Sequence, residues 1–299
     1  MKFPISRRQA CLALGALPLA LQAQSTTAAL RVVASFSLLA DMASQVGGEA
    51  VQVTTLVGAD ADAHVFTPTP VHAQRLAQAD LVIVNGLGFE GWLDRLVRAA
   101  GYRGPVVVAT AGITPRQGGR HADPHAWQSL VHAQRYVENI RAAIVQLRPE
   151  AAAQVNARAA DYTRELAALD SSIRTRLATV PAEDRNVVTS HDAFGYFAEA
   201  YGLRFRAAQG WNTASEASAA DVAKLVRQLK AQRVRALFVE NINDPRLIER
   251  IAQETGARVG GTLYSDALSA PGTPAGTYLG MMAHNADSLL AALQPAAAR

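Results

Sequence analysis

Three histidines and one aspartate in this chain have the side-chain chemistry to hold a metal ion. His64 lies in Asp62-Ala63-His64-Val65-Phe66-Thr67-Pro68-Thr69-Pro70, and His125 in Asp123-Pro124-His125-Ala126-Trp127. His191 lies in Ser190-His191-Asp192-Ala193-Phe194-Gly195-Tyr196-Phe197, and Asp266 in Leu263-Tyr264-Ser265-Asp266-Ala267-Leu268. Three imidazoles and a carboxylate complete the coordination shell of a borderline divalent ion such as zinc. Any metal site of the mature chain must use histidine, aspartate or glutamate. The one cysteine, Cys11, lies within an N-terminal apolar run.

Positioning four distant side chains requires a scaffold, and the chain alternates strand and helix signals. Apolar strand runs are read at Leu30–Ala34, Val51–Val57, Leu81–Val84 and Pro105–Ala109. Helices are read at Leu38–Gln45, from Thr69-Pro70 onward, and at Phe89–Ala100. Thr69 supplies a cap, and Pro70 suits the first helical position. The alternation resumes with strands at Asn186–Thr189, Arg204–Ala208, Ala236–Glu240 and Ala257–Leu263. Helices are expected at Ala193–Tyr201, after Ser218, at Pro245–Thr255 and at Tyr278–Leu293. This pattern implies mainly parallel sheets flanked by helices.

The middle of the chain differs. Ser129 to Leu177 has no glycine, and Pro149 is its only proline. One helix is expected up to about Arg148, and a second from about Glu150 to Leu177. At about 1.5 Å per residue, the second spans roughly 40 Å, enough to run along two lobes. The alternative is a helical hairpin packed on one lobe. The predicted division is 1–23 signal peptide, 24–148 N-terminal α/β lobe, 149–178 linking helix and 179–299 C-terminal α/β lobe.

All four candidate ligands fall in strand-to-helix connections, at the edge where open α/β sheets bind ligands. One such histidine is more often structural, but four coincidences are hard to ascribe to packing. Asp62, Asp123 and Asp192 lie within two residues of the histidines. They read either as acceptors that orient an imidazole or as turn and capping residues. Glu240, ending a strand, is a further candidate for orienting a ligand. His72, His132 and His284 read as helix-surface residues. His121, in the loop Arg116-Gln117-Gly118-Gly119-Arg120-His121, reads as a solvated histidine with a lesser claim to touch metal.

The bulk numbers narrow the function. The chain has 299 residues, 49% hydrophobic and 18% charged, with a formal charge of +4. Residues 1–23 contain Lys2, Arg7 and Arg8 and no acid, which leaves 26 basic against 25 acidic residues in the remainder. No basic stripe suggests a nucleic-acid partner. Basic residues, the apolar run Ala10–Leu21 and the small-residue end Leu21-Gln22-Ala23 follow the order of a secretory signal. Ser6-Arg7-Arg8 resembles a twin-arginine signal, with general secretion as the alternative. Cys11 precedes the end of the apolar run, so no lipid attachment is expected.

On its motifs, the chain resembles the periplasmic metal-binding proteins of zinc/manganese ABC importers. This group is cluster A-I, the zinc-uptake and lipoprotein receptor-associated antigen family. The His64, His125 and His191 segments carry the resemblance, with Tyr201-Gly202-Leu203 and the Ser215-Glu216-Ala217-Ser218-Ala219-Ala220-Asp221 stretch. It implies two α/β lobes joined by a rigid helix, with metal in the interlobe cleft on His64, His125, His191 and Asp266. It also implies an ABC permease as partner. Histidine in third place resembles zinc-type members and ranks zinc above manganese. Many zinc members carry a long His-rich loop before the second ligand, and here only residues 116–121 stand in that place.

The function expected is capture of a divalent metal outside the cytoplasm and its delivery to the permease by a monomeric protein. Release would follow movement of the second lobe, or of the loop carrying Asp266, on docking. The competing reading is a secreted zinc hydrolase with three histidine ligands and an open position. It lacks a His-Glu-x-x-His helix and an evident general base.

Overall fold

The structure is a computed structural model that describes residues 28–118, 121–232, 234 and 236–294. The proposed signal segment lies outside these residues. Two four-stranded parallel sheets form the framework. In the first, β1 (Leu30–Phe36) is flanked by β2 (Val51–Val57) and β3 (Leu81–Val84), and β4 (Val106–Val108) lies outside β3. A short antiparallel ribbon follows, β5 (Gln117–Gly118) with β6 (His121–Ala122). In the second sheet, β7 (Asn186–His191) is flanked by β8 (Arg204–Gln209) and β9 (Ala236–Glu240), and β10 (Arg258–Leu263) lies outside β9. Both sheets thus place their first strand between the second and third. A crevice opens at such a switch in strand order.

The helices are α1 (Ser37–Gly47), α2 (Pro70–Ala77), α3 (Leu93–Ala100), α4 (Leu130–Leu147), α5 (Ala152–Ala178), α6 (Gly195–Tyr201), α7 (Ala219–Gln232), α8 (Arg246–Thr255) and α9 (Tyr278–Leu293). Their starts follow local chemistry. Thr69 and His72 form a reciprocal cap at α2, where the Thr69 N–H donates to His72 Nδ1 at 2.9 Å. Ser218 Oγ accepts the Asp221 N–H at 3.1 Å and donates to its carboxylate at 2.5 Å, so the Ser218 hydroxyl caps the first turn of α7.

The long helix α5 packs on both halves. Near its start, Arg158 donates to the Gln45 carbonyl of α1, and Asn156 accepts from Arg141 of α4. Towards its end, Asp170 accepts the Tyr201 hydroxyl of α6, and Arg176 pairs with Asp287 of α9. The α4–α5 hairpin therefore exists, and α5 also runs on to brace the second half. One continuous apolar core extends from both faces of the first sheet through α5 to Phe194, Phe197, Phe238 and Met281. A separate cluster, Val188, Leu225, Leu229, Leu237, Ile248 and Ile251, lies under α7 and α8.

Several boundaries differ from the sequence reading, and two of the differences bear on the site. His191 is the last residue of β7 and not a loop residue. The helix expected from Phe89 begins at Leu93, because Glu90 folds inward. Its Oε1 accepts from Ser35 Oγ and the Asn85 N–H, both at 2.6 Å, and its Oε2 accepts the Gly86 N–H at 3.1 Å. Among the described residues, no helix is long and apolar enough to cross a membrane.

Candidate metal centre

His64 sits in the loop between β2 and α2. Asp62 Oδ1 accepts its backbone N–H at 2.8 Å, a local turn that aims the residue. The Trp92 indole N–H donates to the preceding Ala63 carbonyl at 2.8 Å, and the His64 ring stands edge-on to Phe89. His125 precedes the 3₁₀ turn Ala126–Gln128. Asp123 Oδ1 accepts its backbone N–H at 3.0 Å and lies 2.8 Å from its Nδ1. That contact assigns the proton to Nδ1 in the neutral ring and leaves the Nε2 lone pair free.

His191 also has a carboxylate behind it, from another strand, though the oxygen facing its Nδ1 makes no well-aligned hydrogen bond and Asn243 Nδ2 lies 3.4 Å from the same nitrogen. Glu240, at the end of β9, accepts the His191 backbone N–H at 2.8 Å, and its other oxygen lies 2.5 Å from Nδ1. Asp266 follows β10. The carbonyl of its neighbour Ser265 accepts from Trp127 Nε1 at 2.8 Å and from Gln128 Nε2 at 2.7 Å.

These four residues meet. One donor atom from each lies within 4.8 Å of the others, and all four residues are buried. His64 Nε2 is 3.4 Å from His125 Nε2 and 3.2 Å from Asp266 Oδ2. His191 Nε2 is also 3.2 Å from Asp266 Oδ2, and His125 Nε2 is 3.7 Å from Oδ1. Neither Asp266 oxygen has a well-aligned hydrogen bond, and nor does His191 Nε2. A buried carboxylate left in that condition is costly unless a cation neutralises it.

The charges reflect the crowding. Burial opposes ionisation of Asp266, but the neighbouring His191 and His125 rings override it and hold the carboxyl well below its ordinary range. Burial likewise favours neutral His191, yet Glu240 and Asp266 push it well above the usual histidine value. His125 is raised against burial by Asp266 and Asp123.

A cleft of about 620 Å³ opens above the cluster between the two halves, lined by His64, His121, Pro124, Trp211 and Glu216 among others. His64 is the one of the four that reaches its wall. His121 lines the cleft but is outside the four-donor group. His72 is engaged in its helix cap, His132 packs edge-on against Tyr196, and His284 against Tyr264. Asp123 and Glu240 orient imidazoles. Asp62 makes a turn and also accepts the Thr213 hydroxyl at 2.6 Å, while Asp192 accepts the Trp211 indole N–H at 3.0 Å. Phe89 and Glu90, which wall or brace the centre, carry no motif that would mark them in the sequence, whereas Trp127 ends the Asp123-Pro124-His125-Ala126-Trp127 segment.

The model of the zinc-uptake complex component A periplasmic family matches residues 32–292. The chain belongs to that family. The manganese-binding lipoprotein MntA of Bacillus subtilis (strain 168) is 34% identical to this chain over 275 residues, covering 89% of this chain and 90% of that one. The iron-binding protein YfeA of Yersinia pestis is 33% identical over 271 residues, covering 88% and 86%. The solved periplasmic zinc-binding protein TroA of Treponema pallidum superposes with a TM-score of 0.87 at 31% identity, covering 89% of this chain and all of that one. These names describe metal-binding proteins and not enzymes, and they span three metals. The hydrolase expectation finds no support in this family.

Proposed function

We propose that this chain is the extracytoplasmic substrate-binding protein of a metal ABC importer. It captures a divalent transition metal, zinc foremost, on His64, His125, His191 and Asp266 and hands it to a membrane permease. The observation that carries this reading is the convergence of four donor atoms around a buried carboxylate that no hydrogen bond neutralises. Donors about 2.0–2.1 Å from a tetrahedral ion lie about 3.3–3.4 Å from one another. Along His125 Nε2, His64 Nε2, Asp266 Oδ2 and His191 Nε2 the successive separations are 3.4, 3.2 and 3.2 Å, close to that value, and one donor atom from each of the four residues lies within 4.8 Å of the others.

Zinc is favoured because three nitrogens and one carboxylate give it a closed shell. Manganese is the second reading. Both Asp266 oxygens are unpartnered, so a bidentate carboxylate can raise the coordination to three nitrogens and two oxygens. Harder ions want that additional oxygen. The protein acts as a monomer in the periplasm, exported by its N-terminal signal and partnered by the permease. Its lobes are residues 24–148 and 179–299, linked by 149–178.

Metal analysis of protein purified without added metal tests the reading. Competitive titration of the wild type and His191→Ala with zinc and manganese follows. The expected result is one ion per chain, with tighter zinc binding, and a large loss of affinity in the variant. Unchanged stoichiometry and affinity in His191→Ala would remove His191 from the metal.

A further inference from the structure

Behind His125 lies a charged group that the metal ligands do not account for. Asp123 is fully buried, and its Oδ1 is occupied by His125. Its Oδ2 is met by Arg116 Nη1 at 2.5 Å. The same guanidinium donates through Nε to Glu199 of α6 at 2.6 Å, and its centre lies 5.6 Å above the Tyr196 ring. The backbone joins the arrangement. The Arg116 N–H donates to the Tyr196 hydroxyl at 3.0 Å, and that hydroxyl donates to the Asp123 carbonyl at 2.9 Å. The Asp123 N–H in turn donates to the Arg116 carbonyl at 2.9 Å.

Gly195, the first residue of α6, gives a second and independent indication. A Cβ on Gly195 would fall 1.7 Å from Arg116 Nη1. Its backbone does not need glycine, since it is absent from the glycines with positive φ. Glycine at 195 therefore makes room for the guanidinium. Gly195 is also only four residues beyond His191. Arg116 thus joins the segment that supports His125 to the strand–helix unit that carries His191.

Resting on the metal-capture reading above, we propose that Arg116 is a positioning residue for the bound cation. It acts through Asp123 on His125 and couples His125 to the β7–α6 unit. The guanidinium fork fixes the Asp123 carboxylate by a charge-assisted bond. The carboxylate then fixes the plane of the imidazole. Groups that orient a ligand in this way change metal affinity by about 10–100-fold. The Glu199 arm contributes less, because its carboxylate is 64% exposed and screened by water.

The test uses the full chain with Arg116→Gln, Arg116→Lys, Gly195→Ala and the Arg116→Gln/Gly195→Ala double variant. Metal dissociation is followed by mixing the loaded protein with a chelator, and cobalt(II) is used as a spectroscopic probe of ligand geometry. Arg116→Gln should release metal about 10–100-fold faster and change the cobalt absorption bands. Arg116→Lys should recover part of the loss, having the charge but not the fork. Gly195→Ala should reproduce the Arg116→Gln behaviour even though alanine is the better helix former. The double variant should then be no worse than either single one.

Thermal unfolding of the metal-free variants separates ligand positioning from general damage. Wild-type release rates and cobalt spectra in both Arg116→Gln and Gly195→Ala would overturn the proposal, as would additive losses in the double variant. A wild-type protein that binds neither zinc nor manganese would instead overturn the metal-capture reading itself.

Discussion

At the scale of single residues, the centre is two buried ion clusters sharing one carboxylate. Asp266 faces three imidazoles, two of which have their own carboxylates behind them, Asp123 and Glu240. Glu240→Gln keeps the shape and removes the charge behind His191. Metal affinity should fall about 10–100-fold in that variant, measured by competition with a chromophoric chelator. Full wild-type affinity would mean that Glu240 serves the fold alone. The convergence of His64, His125, His191 and Asp266 was legible in the sequence because each lies in a strand-to-helix connection or at a strand end, as Glu240 does. The division of labour among Asp62, Asp123 and Asp192 was not. An aspartate beside a histidine looks the same whether it accepts an imidazole, a backbone N–H or an indole from the opposite wall of the cleft.

The same residues set a pH dependence. His125 and His191 have raised values in the fold, so the stability they contribute is complete below about pH 6.5, the free-chain histidine value. It is lost as the pH climbs through their folded values. Asp266 is depressed, so its contribution is present above about pH 4 and lost as the pH falls towards its folded value. The metal-free protein should therefore melt at a lower temperature at pH 8 than at pH 6. Metal needs neutral rings, so the rise in melting temperature on loading should be larger at pH 8. Melting with chelator and with saturating zinc at both pH values measures this. A metal-free protein more stable at pH 8 would contradict the charge arrangement.

At the scale of elements, aromatic packing connects the first sheet to the site. Trp127 is fully buried, stands 5.1 Å from Phe36, 4.8 Å from Phe89 and 5.2 Å from His125, and donates to Ser265. Trp127→Ala should cost about 3–5 kcal/mol of unfolding free energy by leaving a cavity. It should also weaken metal binding, because it loosens His125 and Asp266 together. Chemical denaturation of the metal-free variant beside a zinc titration checks both, and a stability within about 1 kcal/mol of wild type would refute the first. The strands and most helices were legible because their apolar runs and caps are local signals. The delayed start of α3 was not, because the Glu90 side chain is drawn to β1 and the β3 end, 55 residues away in one case. The β5–β6 ribbon escaped for a related reason. Its two-residue strands are too short to show a period and are fixed instead by the links among Arg116, Asp123 and Tyr196.

At the scale of the whole molecule, the question is which ligand leaves when metal is released. The sequence pointed to movement of the second lobe or of the loop carrying Asp266. That loop follows the second sheet but is bonded to the first half of the chain. Besides the two bonds to the Ser265 carbonyl, the Leu268 N–H donates to Ser37 Oγ at 2.9 Å, and the Leu268 carbonyl accepts the Asp60 N–H at 2.9 Å. Leu268 and Tyr278 also lie in the continuous core. The Ala267 carbonyl also accepts from Asn241 Nδ2 at 3.2 Å, but the bonds to the first half are the more numerous, so Asp266 should stay with His64 and His125. His191 ends β7, whose sheet packs one face on the separate α7–α8 cluster through Val188 and Leu237 and the other on the continuous core through Val187 and Phe238. The wall of the cleft on that side is tied across it by the Thr213–Asp62 bond and by Arg116–Glu199, whose Glu199 end is exposed. Metal should therefore tighten His191 against a preformed trio. Amide hydrogen exchange with and without zinc reads this directly. Residues 186–197 and 209–217 should gain protection on loading, while 264–268 should be protected in both states. Rapid exchange at 264–268 in the metal-free protein, with 186–197 unchanged, would make Asp266 the departing ligand and reverse the mechanics.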